Sequence, residues 1–196
     1  MRSLNWNSIQ SSGDGGFTPL PAGPYVARIT QFIDVDDEAE REGKPNNPLK
    51  EYVKVVFDIA EGEHAGYYSD DWGKAHPYAH QFIMSYKETA QGMLKGRLEA
   101  IQASNPGFDP FAAWNAARAD MFVNRLVGIN LQEEEYERDG EVKTRMNVCQ
   151  VVDAQRVRDG KVKPRAKKSI GGGGSAKAAA PTLKKEELYT GEIPFD

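Results

Sequence analysis

The stretch LVGINLQEEEYERDGEVKTRMNVCQVVD, residues 126–153, constrains the fold more than any other part of the chain. Val127, Ile129 and Leu131 alternate with Gly128, Asn130 and Gln132, the two-residue period of a strand with one buried face. Asp139-Gly140 is then the dipeptide that tight hairpin turns favour, because both central residues of such a turn adopt positive φ. A long antiparallel hairpin therefore closes the folded part of the sequence.

The same period recurs upstream. In YVARITQFIDV (25–35), Tyr25, Ala27, Ile29, Ile33 and Val35 share one face, and Val26, Arg28, Thr30 and Phe32 the other. In EYVKVVFDIAEG (51–62), Val53, Val55, Phe57 and Ile59 oppose Tyr52, Lys54, Val56 and Asp58. HAGYYSDDW (64–72) reads as a short third strand carrying aromatics toward a loop. Between these strands and the hairpin the period changes: Ala90, Met93, Leu94, Leu98 and Ile101 fall at helical spacing, and Asn105-Pro106-Gly107 stops the run. Asp109 is placed to cap a second short helix, with Pro110 at its first position, where the missing donor costs least. Three strands, a helical insert and a two-stranded hairpin match the element order of the five-stranded Greek-key barrel, the OB-fold. A sheet packed on helices gives the same string. The expectation is a mainly β, OB-fold-like five-stranded barrel with a helical insert between strands three and four and a disordered C-terminal tail.

Composition limits the function classes. No run approaches the ~18 consecutive apolar residues of a membrane span, and MRSLNWNSIQ lacks the apolar centre of a signal peptide, so a cytoplasmic location is expected. The single Cys149 lies in the apolar run VCQVV and reads as a packed thiol. Net charge is −4, but 17 Lys and Arg face 25 Asp and Glu through Gly160, and 8 face 4 from Lys161 onward. An acidic body must bind a phosphate backbone through a local patch or not at all, since such affinity comes largely from cations displacing counterions.

Catalytic signatures are scarce. His76 and His80 have the spacing that places two imidazoles on one helix face, but Pro77 stands where a zinc protease carries its glutamate. With His64, Asp70 and Asp71 they define the one candidate metal cluster, which a nuclease reading requires; hydrated loop residues explain them as well. The sequence predicts no enzyme, no metal and no cofactor. Binding residues are better represented. Arg28, Phe32, Tyr52 and Lys54 on the outward faces of the first two strands, Trp72, Lys74 and Tyr78 beyond them, and Lys143 and Arg145 on the hairpin combine rings with cations. Bases stack on rings whatever their identity while cations follow phosphates, so this mixture suits single-stranded nucleic acid.

From Arg156, RVRDGKVKPRAKK is strongly basic and is followed by Gly- and Ala-rich chain, the composition of a flexible linker. The chain ends in GEIPFD, where Ile193, Pro194 and Phe195 follow Glu186, Glu187 and Glu192. This tip resembles the acidic Ile-Pro-Phe tail of bacterial single-stranded-DNA-binding proteins, which docks on replication and recombination enzymes; here Asp196 follows the Phe. The body, through LPAGPYVARI, VFDIAEGEHAGYY and the hairpin, resembles a phage-encoded family of small proteins found near recombination and replication genes, over about residues 17–155. The resemblance implies a phage or prophage single-stranded-DNA-binding protein whose tip recruits replication or recombination proteins. The chain divides into an irregular lead-in (1–23), the binding domain (24–155), a flexible linker (156–185) and an interaction tip (186–196), with self-association left open. The competing reading is a phage adaptor that binds host proteins and never DNA, for which an acidic body is natural.

Overall fold

Alternating apolar residues in β1 (Gly23–Asp34), β2 (Tyr52–Ile59), β3 (Gln81–Ser85), β4 (Leu126–Arg138) and β5 (Glu141–Val152) build one antiparallel sheet of order β3-β2-β1-β4-β5. The structure, a computed structural model, describes residues 20–35 and 51–170. Ala27, Ile29, Val55, Phe57, Val127 and Ile129 line one face at 1% exposure or less. Helix α2 (Gln91–Ser104) lays Leu98 and Ile101 against that face. Burying side chains of this size contributes ~1.5–3 kcal/mol each. The hairpin forms as its sequence dictates: Asp139 and Gly140 take φ of 59° and 76°, leaving a two-residue turn between Arg138 and Glu141.

The insert between β3 and β4 is closed by specific polar contacts. A 3-10 turn, Glu88–Ala90, precedes α2. The Asn105 amide donates to Ile101 O and Leu126 O and its Oδ1 accepts from Leu126 N, tying the helix end to the first residue of β4. Asp109 caps α3 (Pro110–Asn115) by accepting from the amides of Phe111 and Ala112 at 2.9 and 3.1 Å. Met93, expected on the apolar face of α2, is 61% exposed instead.

Three expectations about the strands and the sheet are corrected. The stretch 64–72 is not a strand: Gly62 and Gly66 adopt φ of 86° and 76° and curl it into turns. Asp58 pins those turns, accepting from Tyr68 N at 2.8 Å and Ser69 Oγ at 2.5 Å, and Tyr68 is buried against Phe57. The chain then forms α1 (Asp71–Ala75) and a 3-10 turn (Pro77–His80) before the true third strand, β3, whose Phe82 and Met84 point inward. Five residues are too few for periodicity to stand out. Second, β1 carries a bulge: Ile29 pairs with Phe57, but Gln31 pairs with Val56. One extra residue reverses the pleat beyond it, so Phe32 falls beside Val55 on the core face rather than outward. Third, the sheet is open, since its edge strands β3 and β5 share no ladder.

Part of the segment read as flexible linker is structured. Helix α4 (Ala154–Arg158) crosses the face opposite α2 so closely that a Cβ on Gly128 would lie 2.8–2.9 Å from Val152, Asp153 O and Val157. Arg158 forms a bidentate pair with Glu61 at 2.6 and 3.0 Å. Beyond it, Lys168 joins β4 as a parallel bridge to Glu134, donating its amide to Glu133 O and accepting from Glu135 N, each at 2.8 Å. The first β1–β4 pair is Gly23 with Leu131, so this segment takes the β4 edge that β1 leaves uncovered.

Candidate nucleic-acid interface

Because the sheet curls without closing, β3 and β5 face each other across a cleft of about 400 Å³. Its floor is apolar, made by Phe57, Phe82 and Leu131, and its walls carry Gln81, Asn147, Arg145 and, from α2, Arg97. Arg97 donates to the Ile83 carbonyl, which caps the β3 edge, and its guanidinium lies 5.7 Å from the Phe82 ring centroid. Burial costs it part of its hydration and pulls its pKa down. Tyr78, 68% exposed, and Ile83, 45% exposed, also line it. An exposed ring, two guanidiniums and two side-chain amides around an apolar floor can hold a planar group and an anion together.

On the hairpin the decisive group is Glu134. Its carboxylate, 12% exposed, accepts from Lys168 Nζ at 2.5 Å, Arg145 Nη2 at 2.9 Å and Asn147 Nδ2 at 3.1 Å. The Lys168 hydrogen bond, with that from Arg145, lowers its pKa to about 2. One carboxylate therefore links a cation of the cleft to a cation of the C-terminal segment. Arg145 also lies 5.2 Å over Tyr136, and Lys143, exposed, pairs with Glu141 at 3.3 Å. Lys167 pairs with Glu135 at 2.8 Å. Arg158, Lys161, Lys167 and Lys168 of the basic run thus each meet an acidic partner.

Of the residues singled out from sequence, Tyr78 and Arg145 meet in the cleft, and Lys143 sits on the adjoining ribbon. Tyr52 and Lys54 lie on the outward face, where Lys54 is flanked by Ile33 and Ile83 across β1 and β3. Arg28 is exposed at the other end of that face, donating to Asn124 O at 3.2 Å. Lys74 is exposed on α1, which also contains Trp72. Phe32 lies on the core face instead of the outward one, where its ring stacks on Phe122 at 4.0 Å and 11°. Ile193, Pro194 and Phe195 lie outside the described residues. Arg97 was not singled out, because nothing in GMLKGRLEAIQ marks one cation of a helix as facing a strand edge.

The candidate metal cluster is not assembled. Both ring nitrogens of buried His80 face carbonyl oxygens, Nδ1 that of Phe57 and Nε2 that of Gly73 at 3.0 Å, while His76 packs edge-on against Tyr78. Among the described residues no group of three or more His, Cys, Asp or Glu is arranged to hold a metal ion. The Cys149 thiol donates to Asn130 O at 3.2 Å, and burial pushes its pKa up, away from the reactive thiolate. No helix among the described residues is long and apolar enough to cross a membrane. No protein-family model matches the chain, and no curated protein matches its sequence.

Proposed function

We propose that this chain binds single-stranded DNA on an OB-fold-like scaffold, with the β3–β5 cleft and the hairpin as the gripping surface. The carrying observation is that cleft, whose lining brings together the exposed Tyr78 ring, Arg97 and Arg145. The order β3-β2-β1-β4-β5, with a helix between β3 and β4, supports the scaffold: it is the OB barrel's order opened at its last seam. The chemistry favours unpaired strands, because an exposed ring lining a cleft reaches a base face only when that base is unstacked. In this reading the protein is of phage or prophage origin, coats single strands during replication or recombination, and recruits partner proteins through Ile193, Pro194 and Phe195.

Replacing Tyr78 by Ala tests the reading with little risk to the fold, since the ring is largely exposed. Fluorescence anisotropy with labelled oligo-dT and a matched duplex should show preference for the single strand, and a loss of ~1–3 kcal/mol in Tyr78→Ala. Equal binding of both DNA forms, or a Tyr78→Ala chain that binds like the parent, removes the proposal. The excess of acidic residues through Gly160 favours the adaptor reading, in which the chain binds proteins alone. A null in anisotropy at low salt selects it.

A further inference from the structure

We infer that a second pocket, at the end of the sheet away from the hairpin, takes one unstacked base of the bound strand; this inference rests on the single-strand reading above. The pocket, about 360 Å³, lies between Phe32 near the end of β1, Tyr86 just past β3, Trp114 of α3 and the 3-10 turn Ala119–Phe122. That volume is within the range of small-ligand sites, ~300–1,000 Å³. Trp114 stands edge-on to both Phe32 and Tyr86, with centroids 6.1 and 6.3 Å away, and all three rings are partly buried against the core with some surface left at the space.

Backbone strain on the wall gives an independent observation. Ala117 ends α3 with φ of 52°; its amide reaches Trp114 O at 3.0 Å and the next amide reaches Ala113 O at 2.9 Å. Glycine is the usual residue at such a left-handed helix end, because a Cβ there crowds the following carbonyl. Here a methyl is held at that position, and it borders the pocket. Strain of this kind concentrates where a surface is used.

Charge decides the occupant. The rim carries Asp34 and Arg118, but Arg118 is already held by Asp120 through two bonds of 2.7 and 2.8 Å, so the rim offers no excess positive charge. A phosphate, or the acidic tip with Glu192 and Asp196, is disfavoured inside; a flat uncharged ring is not. The pocket lies at the core side of the sheet end: along β2 the outward Tyr52 is followed by Val53, along β3 Ser85 is followed by Tyr86, and Val53 and Tyr86 line the pocket. A strand held at Tyr52 would reach it by passing around that end of the sheet.

The test uses the full chain with Trp6→Phe and Trp72→Phe, which leaves Trp114 as the only indole. Oligo-dT is titrated while anisotropy of the labelled DNA reports binding and Trp114 emission reports the pocket. Emission should quench in step with anisotropy. Ala119→Leu, filling the space from the 3-10 turn, should abolish the quench and weaken binding about five- to a hundredfold, whereas Ala119→Ser should leave both unchanged. A silent Trp114 with full anisotropy overturns the pocket and leaves the single-strand reading standing; no anisotropy change overturns both. Quenching by the peptide TGEIPFD without DNA assigns the pocket to the tail and overturns the inference. Should Ala119→Leu fail to fold, the Trp114 response of the parent decides.

Discussion

Single residues carry two opposite kinds of signal here. Asp109 and Asp139-Gly140 sit where elementary propensity puts them, and each does what its type does best: a carboxylate on two free amides, and a pair of positive φ angles in a hairpin turn. Ala117 contradicts its own propensity, at a helix end where glycine is unstrained. Ala117→Gly is therefore expected to raise stability by ~1 kcal/mol, the left-handed cost less glycine's entropy, and the thermal midpoint by roughly 3–5 °C. Differential scanning calorimetry on parent and variant measures it; an unchanged or lowered midpoint would mean that the Ala117 methyl stabilises the fold by its own packing. The bulge between Ile29 and Gln31 shows why Phe32 was misplaced: alternation is counted along one strand, whereas a bulge is defined only against the partner strand.

Among elements, the pairing of residues 163–170 with β4 is the one that sequence composition hid. RVRDGKVKPRAKK has the charge of a solvated arm, and nothing within it announces the complementary Glu133-Glu134-Glu135 run on a strand about 30 residues earlier. Asn130 Nδ2 donates to Lys163 O and Gln132 to Ala166 O, so side chains extend the docking beyond its two backbone bonds. Glu134 makes it pH-dependent. Its pKa falls from 4.5 to about 2 on folding, chiefly through Lys168 and then Arg145, so its stabilisation is complete above about pH 4.5 and disappears as pH drops through about 2. Protection of the Lys168 amide against hydrogen exchange, corrected for the intrinsic rate, should hold from pH 7 to 5 and decline between 4.5 and 2. Glu135 titrates in the same direction through Lys167, so Glu134→Gln isolates the effect: protection at pH 7 should drop and its acid dependence should shrink. An unaltered protection profile in that variant would leave the backbone bonds alone as the source of docking.

At the scale of the whole molecule, the acidic balance through Gly160 means that the proposed grip on DNA would rest on few cations and much stacking. The hairpin and the capped helix were readable in the chain because each is local, whereas the third strand, five residues long, lies at 81–85 instead of the expected 64–72. The cleft was not, because it arises from the curl that brings β3 beside β5, and it draws Arg97 from a helix, Arg145 from the last strand and Tyr78 from a 3-10 turn. Its charge content is correspondingly small: Arg97 caps Ile83 O and Arg145 is shared with Glu134, so a phosphate competes with groups already satisfied. On the proposed reading, three phosphate contacts, from Arg97, Arg145 and Lys143, would give a slope of log K against log salt of roughly −2, since each contact on a single strand contributes about −0.7. Arg145→Gln should lessen the slope by about 0.7 and leave stacking on Tyr78 intact; Tyr78→Ala should lower affinity at every salt concentration and leave the slope unchanged. Anisotropy titrations from 50 to 300 mM salt separate the two. If both substitutions changed the slope, or neither changed affinity, the ring and the guanidiniums would not be sharing one ligand, and the β3–β5 cleft would lose its role.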